Sequence, residues 1–449
     1  MGEFEVKFDG YKLVLELEAQ MPMIHFQSDQ CGATLRATEM KPKLDAFLLM
    51  LLGKEAQMSV KELKKSQEYG MLFLNKDADN NDALDYKLQI VTEEVPTEID
   101  LDKVTKRQDG NGKWKTDNSE NYTLFYANMG KKDDAEKAYG IFSNPTVTIL
   151  CFKEKLRQLI RENIINFFLV TNFGTMQNKG FGSFAPKLWL ERNGLSDKKK
   201  REVAMAYREL IPDGKCYAMT YKNVLKENVP LAEKNKFCVE LAELIKSFYS
   251  IMKSGINFNG YSRSYIYQYG HEVLQLGNEK AWMKKNKLAP IVCKPGNEKK
   301  HEYGTQEHRY LRAFLGVGEN IEYGNRLEDG KLKKDNAIKI GIKSKEFERL
   351  PSPIYFKVIQ NVVFVVAFDV PEEIYGASFT FSSTMSGGTK TICVPKREEL
   401  ETDGKFDIQD FLSKYVAYYN GELRTKVWDM QKDKKKVKYP EALEVKINA

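Results

Sequence analysis

The sequence predicts an α+β protein made of two β-α-β-β-α-β units with insertions. Three observations predict it. The first 190 residues switch between period-two and helical hydrophobic patterns in the order β, α, β, β, β, α, β. The second half restarts with a strand, a long helix, a hairpin and a final helix. The chain has 449 residues, more than one core normally supports, and 42% hydrophobic with 30% charged residues is a globular composition. The element order fits the ferredoxin-like (RRM-like) plan. No sequence-level repeat joins the halves, so the duplication rests on element order.

The first unit, 1–195, opens with "YKLVLELEAQMPMIHF" (11–26). Leu13, Leu15 and Leu17 alternate with charged neighbours, which is a strand with one wet face. In "EMKPKLDAFLLMLLGKE" (39–55), Leu44, Phe47, Leu48, Leu51 and Leu52 recur at three and four, an amphipathic helix with Pro42 in its first turn. Residues 71–95 read as strand, acidic loop, strand. The stretch 102–121, inside an insertion of about 100–122, has no apolar periodicity and is expected as a mobile loop or hairpin tip. "TVTILCF" (146–152) is a β-branched strand. In "KEKLRQLIRENIINFFLVTNFG", Leu156, Leu159, Ile160, Ile164 and Phe167 share a helix face that ends at a glycine. "GSFAPKLWLE" then runs extended.

The charged, turn-like "ERNGLSDKKKRE" (191–202) is the expected boundary, and the second unit spans 203–425. Its elements are the strand "KCYAMTYKN", the helix 231–255, a short helix or turn at 307–318, the hairpin "PIYFKVIQNVVFVVAFDV" (353–370) turning at Gln360–Asn361, and the helix 407–423. The lysine-rich tail 426–449 is expected to be solvated.

A net charge of +7 permits a polyanionic partner without demanding one. Six cysteines (Cys31, Cys151, Cys216, Cys238, Cys293, Cys393) form no C-x-x-C pair and read as reduced thiols. Neither a signal-peptide pattern nor an apolar run long enough to cross a bilayer is present, so the expectation is a cytoplasmic protein away from membranes. The sequence contains no P-loop, H-E-x-x-H or G-x-S-x-G motif, and "GVGENI" (316–321) lacks the third glycine of a dinucleotide fingerprint. Cys293, His301 and His308 fit no standard zinc spacing, and neither metal nor cofactor is expected. His301 or His308 beside Arg309 would be the candidates for acid–base cleavage of RNA; catalytic residues stay unassigned.

The informative stretch is "NFGTMQNKGFGSFAPKLWL" (172–190). Glycines after a helix serve as caps and turns, which accounts for Gly174. Lys179-Gly180-Phe181-Gly182 heads a strand, where glycine is weakening. Glycine suits close approach of another backbone, and a phosphate chain beside bare N–H groups and a lysine is one such partner, with aromatics stacking on unpaired bases. Both readings stay open on residue chemistry alone. "KGFGSF" also overlaps the first ribonucleoprotein motif of RNA recognition modules, but departs from it at Ser183 and Ala185, and Pro186 is unwelcome in a central strand.

"FGTMQNKGFGSF" (173–184) resembles the glycine-rich loop of the RAMP superfamily of CRISPR-associated proteins. "GATLRATEMKPKLDAFLL" (32–49) resembles the RAMP segment in which a small polar turn with a basic residue leads into the first helix. "ERLPSPIYFKVI" (348–359) is similar to a segment of the large two-domain RAMP subunit of type III-B effector complexes. The resemblance implies two ferredoxin-like units that hold guide (crRNA) or target RNA in a ribonucleoprotein with other CRISPR effector subunits. It implies that Gly174, Asn178, Lys179, Gly180, Phe181, Gly182 and Ser183 lie against the RNA backbone, and that Arg36, Lys41 and Lys43 meet phosphate. The 102–121 insertion would be a thumb-like loop. Asp29 and Asp45 lie near the region where some relatives carry a cleaving aspartate, and His25 where processing members use histidine. The leading expectation is a non-catalytic RNA-binding subunit in antiviral defence. The alternatives are a metal-independent endoribonuclease of the same superfamily and a scaffold that binds no nucleic acid.

Overall fold

The computed structural model describes residues 6–24, 34–75, 77, 81–93, 97–100, 106–108, 114–116, 139–224, 229–257, 261–289, 307–318, 320–326, 332–347, 349–400, 404–423 and 439–447. His25, Asp29, Cys31, Cys293 and His301 lie outside these residues. Contacts divide the chain into one unit of residues 1–245, 355–366 and 439–449 and another of 246–354 and 367–438.

The first sheet joins β1 (Lys12–Ala19), β2 (Lys87–Val91), β3 (Thr146–Leu150) and β4 (Phe184–Pro186) in the order β2-β3-β1-β4, all antiparallel. Helix α1 (Ala37–Ala56) follows β1, and α3 (Glu154–Val170) follows β3. This is the ferredoxin-like plan. Leu13, Leu15 and Leu17 of β1 and Val147 and Ile149 of β3 are buried, as the period of two requires. They share a core with Leu44, Phe47 and Leu48 of α1 and with Ile160, Ile164 and Phe167 of α3. The Phe47 and Phe167 rings meet at 5.7 Å. The expected strand at "MLFL" is instead a 3₁₀ turn (Gly70–Leu72) followed by a single bridge, Phe73 to Leu84. A short helix α2 (Val60–Lys65), held by a Ser59–Glu62 capping box, precedes it. Of the 102–121 insertion, Lys106–Gln108 and Trp114–Thr116 pair as a hairpin; its remainder lies outside the described residues.

The expected boundary at 191–202 lies within the first unit and begins a helix, α4 (Asp197–Leu210), N-capped by the Ser196 hydroxyl. Its lysine run hides a buried stripe of Val203, Ala206 and Tyr207. Lys199 is buried against the Trp189 ring and paired with Glu202 at 2.9 Å.

The second sheet joins β5 (Tyr217–Thr220), β6 (Ile354–Ile359), β7 (Val362–Ala367) and β8 (Ala442–Glu444) in the order β6-β7-β5-β8. In its own count this repeats the order of the first sheet. Helix α5 (Leu231–Lys253) follows β5, and α8 (Ile408–Tyr418) follows the β6–β7 hairpin. The hairpin turns at Gln360–Asn361 as expected, with Gln360 in the left-handed region at φ 51°. The tail is not wholly solvated. β8 lies in it, pairs antiparallel with β5, and buries Tyr439 and Ala442. The "ALEV" alternation was concealed by the lysine run that precedes it.

The second unit holds a four-stranded sheet of Asn320–Arg326, Leu332–Lys343, Ser378–Ser383 and Thr389–Cys393, in chain order. It also holds α6 (Tyr265–Glu272) and α7 (Glu279–Lys285). The sequence expectations had placed none of these elements except the segment at 307–318, which is a short strand and a 3₁₀ turn. Tyr415 of α8 meets Phe248 at 4.8 Å. A buried ion pair joins Arg312 to Glu279. Beside it, Lys253 donates to the carbonyls of Leu315 and Gly316 at 3.1 and 2.6 Å.

Burial, reinforced by Arg312, lowers the Lys253 amine to about 7, and the same causes lower Lys280 to about 7. In the unfolded chain both keep their protons up to about pH 10, so between about pH 7 and 10 the unfolded state binds more protons and stability rises with pH. Below pH 7 both states are protonated and this contribution levels off. Lys253→Met should flatten that rise, measured by urea unfolding at pH 7.5 and 9.5. Truncation after residue 438 should lower stability by on the order of 2–4 kcal/mol through the lost side-chain burial and strand ladder. Calorimetry would read this as a clearly lower Tm, whereas a solvated tail would leave it unchanged.

Candidate nucleic-acid interface

The loop between α3 and β4 is fastened on two sides. On one side is the start of α1. Lys43 donates to the Asn172 carbonyl at 2.8 Å and to Gln177 Oε1 at 2.7 Å. Its ammonium sits 4.8 Å from the centre of the Phe173 ring. Glu39, one turn earlier on the same face, accepts from the Gly174 N–H at 2.6 Å and pairs with Lys43 at 3.3 Å. Burial lowers the Lys43 amine, and Glu39 partly opposes this.

On the other side is β6. The Phe356 N–H donates to the Asn178 carbonyl at 3.1 Å, and Asn172 Nδ2 donates to the Phe356 carbonyl at 2.8 Å. The Asn172 N–H reaches the Tyr355 hydroxyl at 2.7 Å, and Ser183 Oγ donates to the Val358 carbonyl at 2.5 Å. Lys357, fully buried, donates to the carbonyls of Thr171 and Phe184 at 2.7 and 3.1 Å. Burial, with Lys43 nearby, holds its amine well below the usual lysine range. Its two donated hydrogen bonds cross-link the ends of the loop to β6.

The glycines serve this packing. A Cβ on Gly182 (φ 62°) would sit 1.9 Å from the Phe173 carbonyl oxygen, and one on Gly174 (φ 78°) 2.5 Å from that of Ile24. Gly180 (φ 83°) is closed off by Val358 and Ile245. Backbone N–H groups are used internally as well: Gly182 donates to Pro22, Thr175 to Ile24, and Gly180 to Gln177.

The sequence expectation set Gly174, Gly180, Phe181, Gly182 and Ser183 against RNA. All five are buried, and the backbone that approaches the glycines is the chain's own. Lys179 turns its ammonium toward the Phe356 ring, 5.5 Å from its centre. Lys41 is held by Asp45 and the Leu84 carbonyl, over the Tyr86 ring. That pairing also places Asp45 in the interior, where burial raises its carboxyl despite Lys41. What stays toward solvent is the loop tip, Thr175–Lys179, half-buried, and Arg36, exposed at the N-cap of α1. No side chain caps that helix start. Glu39 and Lys43 hold the loop against the first turns of α1, so Arg36 and the tip belong to one rigid piece.

The sequence reading missed Asn172, Tyr355 and Lys357. A signal was present: "IYFKVI" sets one lysine in an otherwise apolar strand, and such a lysine must find buried acceptors. Arg309, considered beside His301 or His308 as a candidate for acid–base cleavage, is bound by Glu399 and Glu307. Burial, then Lys285, lowers the His308 imidazole.

The Cmr1 N-terminal domain family matches residues 10–256, and the Cmr1 C-terminal domain family matches residues 261–437. The chain belongs to the Cmr1 family. Cmr1 membership makes it a RAMP subunit of a type III-B CRISPR effector complex. Among solved structures, that of Cmr1 from Pyrococcus furiosus in its apo form is similar at 10% identity, over 80% of this chain and 88% of that one, with a TM-score of 0.37. No curated protein matches. Among the described residues, no helix is long and apolar enough to cross a membrane.

Gly182→Val should cost at least about 1–3 kcal/mol in backbone strain, before its steric overlap with Phe173 is counted. Urea unfolding of the variant should show a markedly lower midpoint. A wild-type midpoint would contradict the packing role given to this glycine.

Proposed function

We propose that this Cmr1-family subunit binds RNA, guide or target, as a non-catalytic component of the effector ribonucleoprotein. The observation that carries the reading is the coupling of an exposed Arg36, at a helix start without a side-chain cap, to a glycine loop locked in place by Lys43 and Glu39. A helix N-terminus offers N–H groups and the positive end of its dipole to phosphate, and arginine adds a forked donor. The loop tip at Thr175–Lys179 borders the same first turns of α1, which gives a polynucleotide backbone a second polar edge. Ordering by the protein's own hydrogen bonds lowers the entropy lost on binding.

In this reading the buried glycines act indirectly. They let the loop fold tightly enough to present its tip, and Lys41, Lys43 and Lys357 hold that shape rather than meet phosphate. The partners are RNA and the neighbouring effector subunits.

Arg36→Ala should weaken binding of a single-stranded RNA and reduce the slope of log affinity against log salt by about one ion. A salt series of filter-binding measurements checks this. An unchanged slope and affinity would remove Arg36 from the interface.

A further inference from the structure

We infer that the uncovered face of the first sheet is a second contact surface for single-stranded polynucleotide, one that stacks unpaired bases. The inference rests on the RNA-binding reading above and places a different part of the ligand. The helices α1 and α3 share a core with one face of this sheet; among the described residues, those of β1, β2 and β3 on the other face are exposed or half-buried. Register sets its residues in rows. Lys87, Leu150 and Lys12 lie side by side in one row, and Gln89, Thr148 and Val14 in the next. Lys12, Val14, Lys87 and Gln89 are exposed, and Leu150 and Thr148 are half-buried.

Just beyond the ends of β1 and β3, beside the first turns of α3, stand two aromatic rings that a water-facing surface would not ordinarily carry together. Tyr11 is 52% and Phe152 64% exposed. Their ring centres are 5.0 Å apart at 49°. The Arg157 guanidinium lies 5.1 Å from the Tyr11 ring centre, fixed there by the Cys151 and Phe152 carbonyls and by Glu154. Tyr11 and Phe152 are also joined through the backbone, because the Cys151 N–H donates to the Tyr11 carbonyl at 3.0 Å. The rings are thus held at the ends of two paired strands, on a rigid support.

This combination favours nucleic acid over a purely apolar partner. Stacking on an aromatic ring needs only the face of a base, so it tolerates any sequence. Lys12 and Lys87 sit where a backbone leaving such a stack would place its phosphates, while Gln89 and Thr148 offer hydrogen bonds to base edges. Of the two acidic residues of β1 on this face, Glu16 is paired with Lys187 at 3.2 Å and Glu18 is half-buried. Val14 and Val91 also expose apolar area on this face, but Lys12, Lys87 and Gln89 keep it from forming the continuous apolar stripe that a docked protein helix would need.

The test uses the full-length chain and a single-stranded RNA carrying 2-aminopurine, whose fluorescence falls on stacking against an aromatic ring. Tyr11→Leu with Phe152→Leu keeps apolar area and removes the rings. It should abolish the quench and weaken affinity about tenfold, with the salt slope unchanged. Lys12→Gln with Lys87→Gln should lower the salt slope by about two ions. These side chains are exposed, and wild-type melting temperatures would verify the fold. If wild-type protein binds RNA, and Arg36→Ala weakens it, while both double variants bind like wild type, the stacking surface is overturned and the broader reading stands. If wild-type protein binds no RNA, both fall. If the ring variant keeps its RNA affinity but fails to associate with other effector subunits, the face belongs to a protein partner and the inference is overturned.

Discussion

The structure of the first unit depends on a polar seam inside an apolar core. β6 runs beside the glycine loop, and the contacts across that line are hydrogen bonds made by Asn172, Ser183, Tyr355 and Lys357. Each group is buried or nearly so, and each would be costly if left without a partner. Such a seam specifies one register. Sliding β6 by one residue would exchange Lys357 for Phe356 or Val358 and leave two carbonyls and an amine without mates. The first sheet ends in this loop and the second begins beside it, so the seam fixes the two four-stranded sheets of this unit to one another. The presentation of the loop tip and of Arg36 follows from that fixation.

Much of the architecture was legible. Both strand–helix alternations, the hairpin at Gln360–Asn361 and the helices α1, α3, α5 and α8 stand where the periodicities put them. Three kinds of element were not. α4 was hidden because "DKKKRE" is charged throughout its first turns, and its apolar stripe begins only at Val203. β8 was hidden by the lysines before it. The sheet of the second unit was missed because its middle strands are rich in serine, threonine and lysine, and local pattern cannot separate these from loops.

The glycine loop shows where local chemistry stops being informative. Gly182 does mark a close approach of backbone, as its placement ahead of a strand suggested. The sequence could not say whose backbone it was. For Gly182 it is that of Phe173, nine residues earlier, while Gly180 is closed off by the side chains of Val358 and Ile245. Acceptors 43 and 129 residues away, the Leu84 and Asn172 carbonyls, likewise hid the structural roles of Lys41 and Lys43. Arg36, at the N-cap of α1, is exposed.

The second sheet carries a consequence for biogenesis. β5 takes its neighbours from Val362–Val365 and from Ala442–Glu444, so its two edges stay unsatisfied until chain roughly 140 and 220 residues farther on has been made. Loop closure over such spans is slow. A nascent chain emerging from the ribosome would hold a bare, apolar strand for many seconds, which makes chaperone capture at Tyr217–Thr220, rather than spontaneous collapse, the natural safeguard during synthesis.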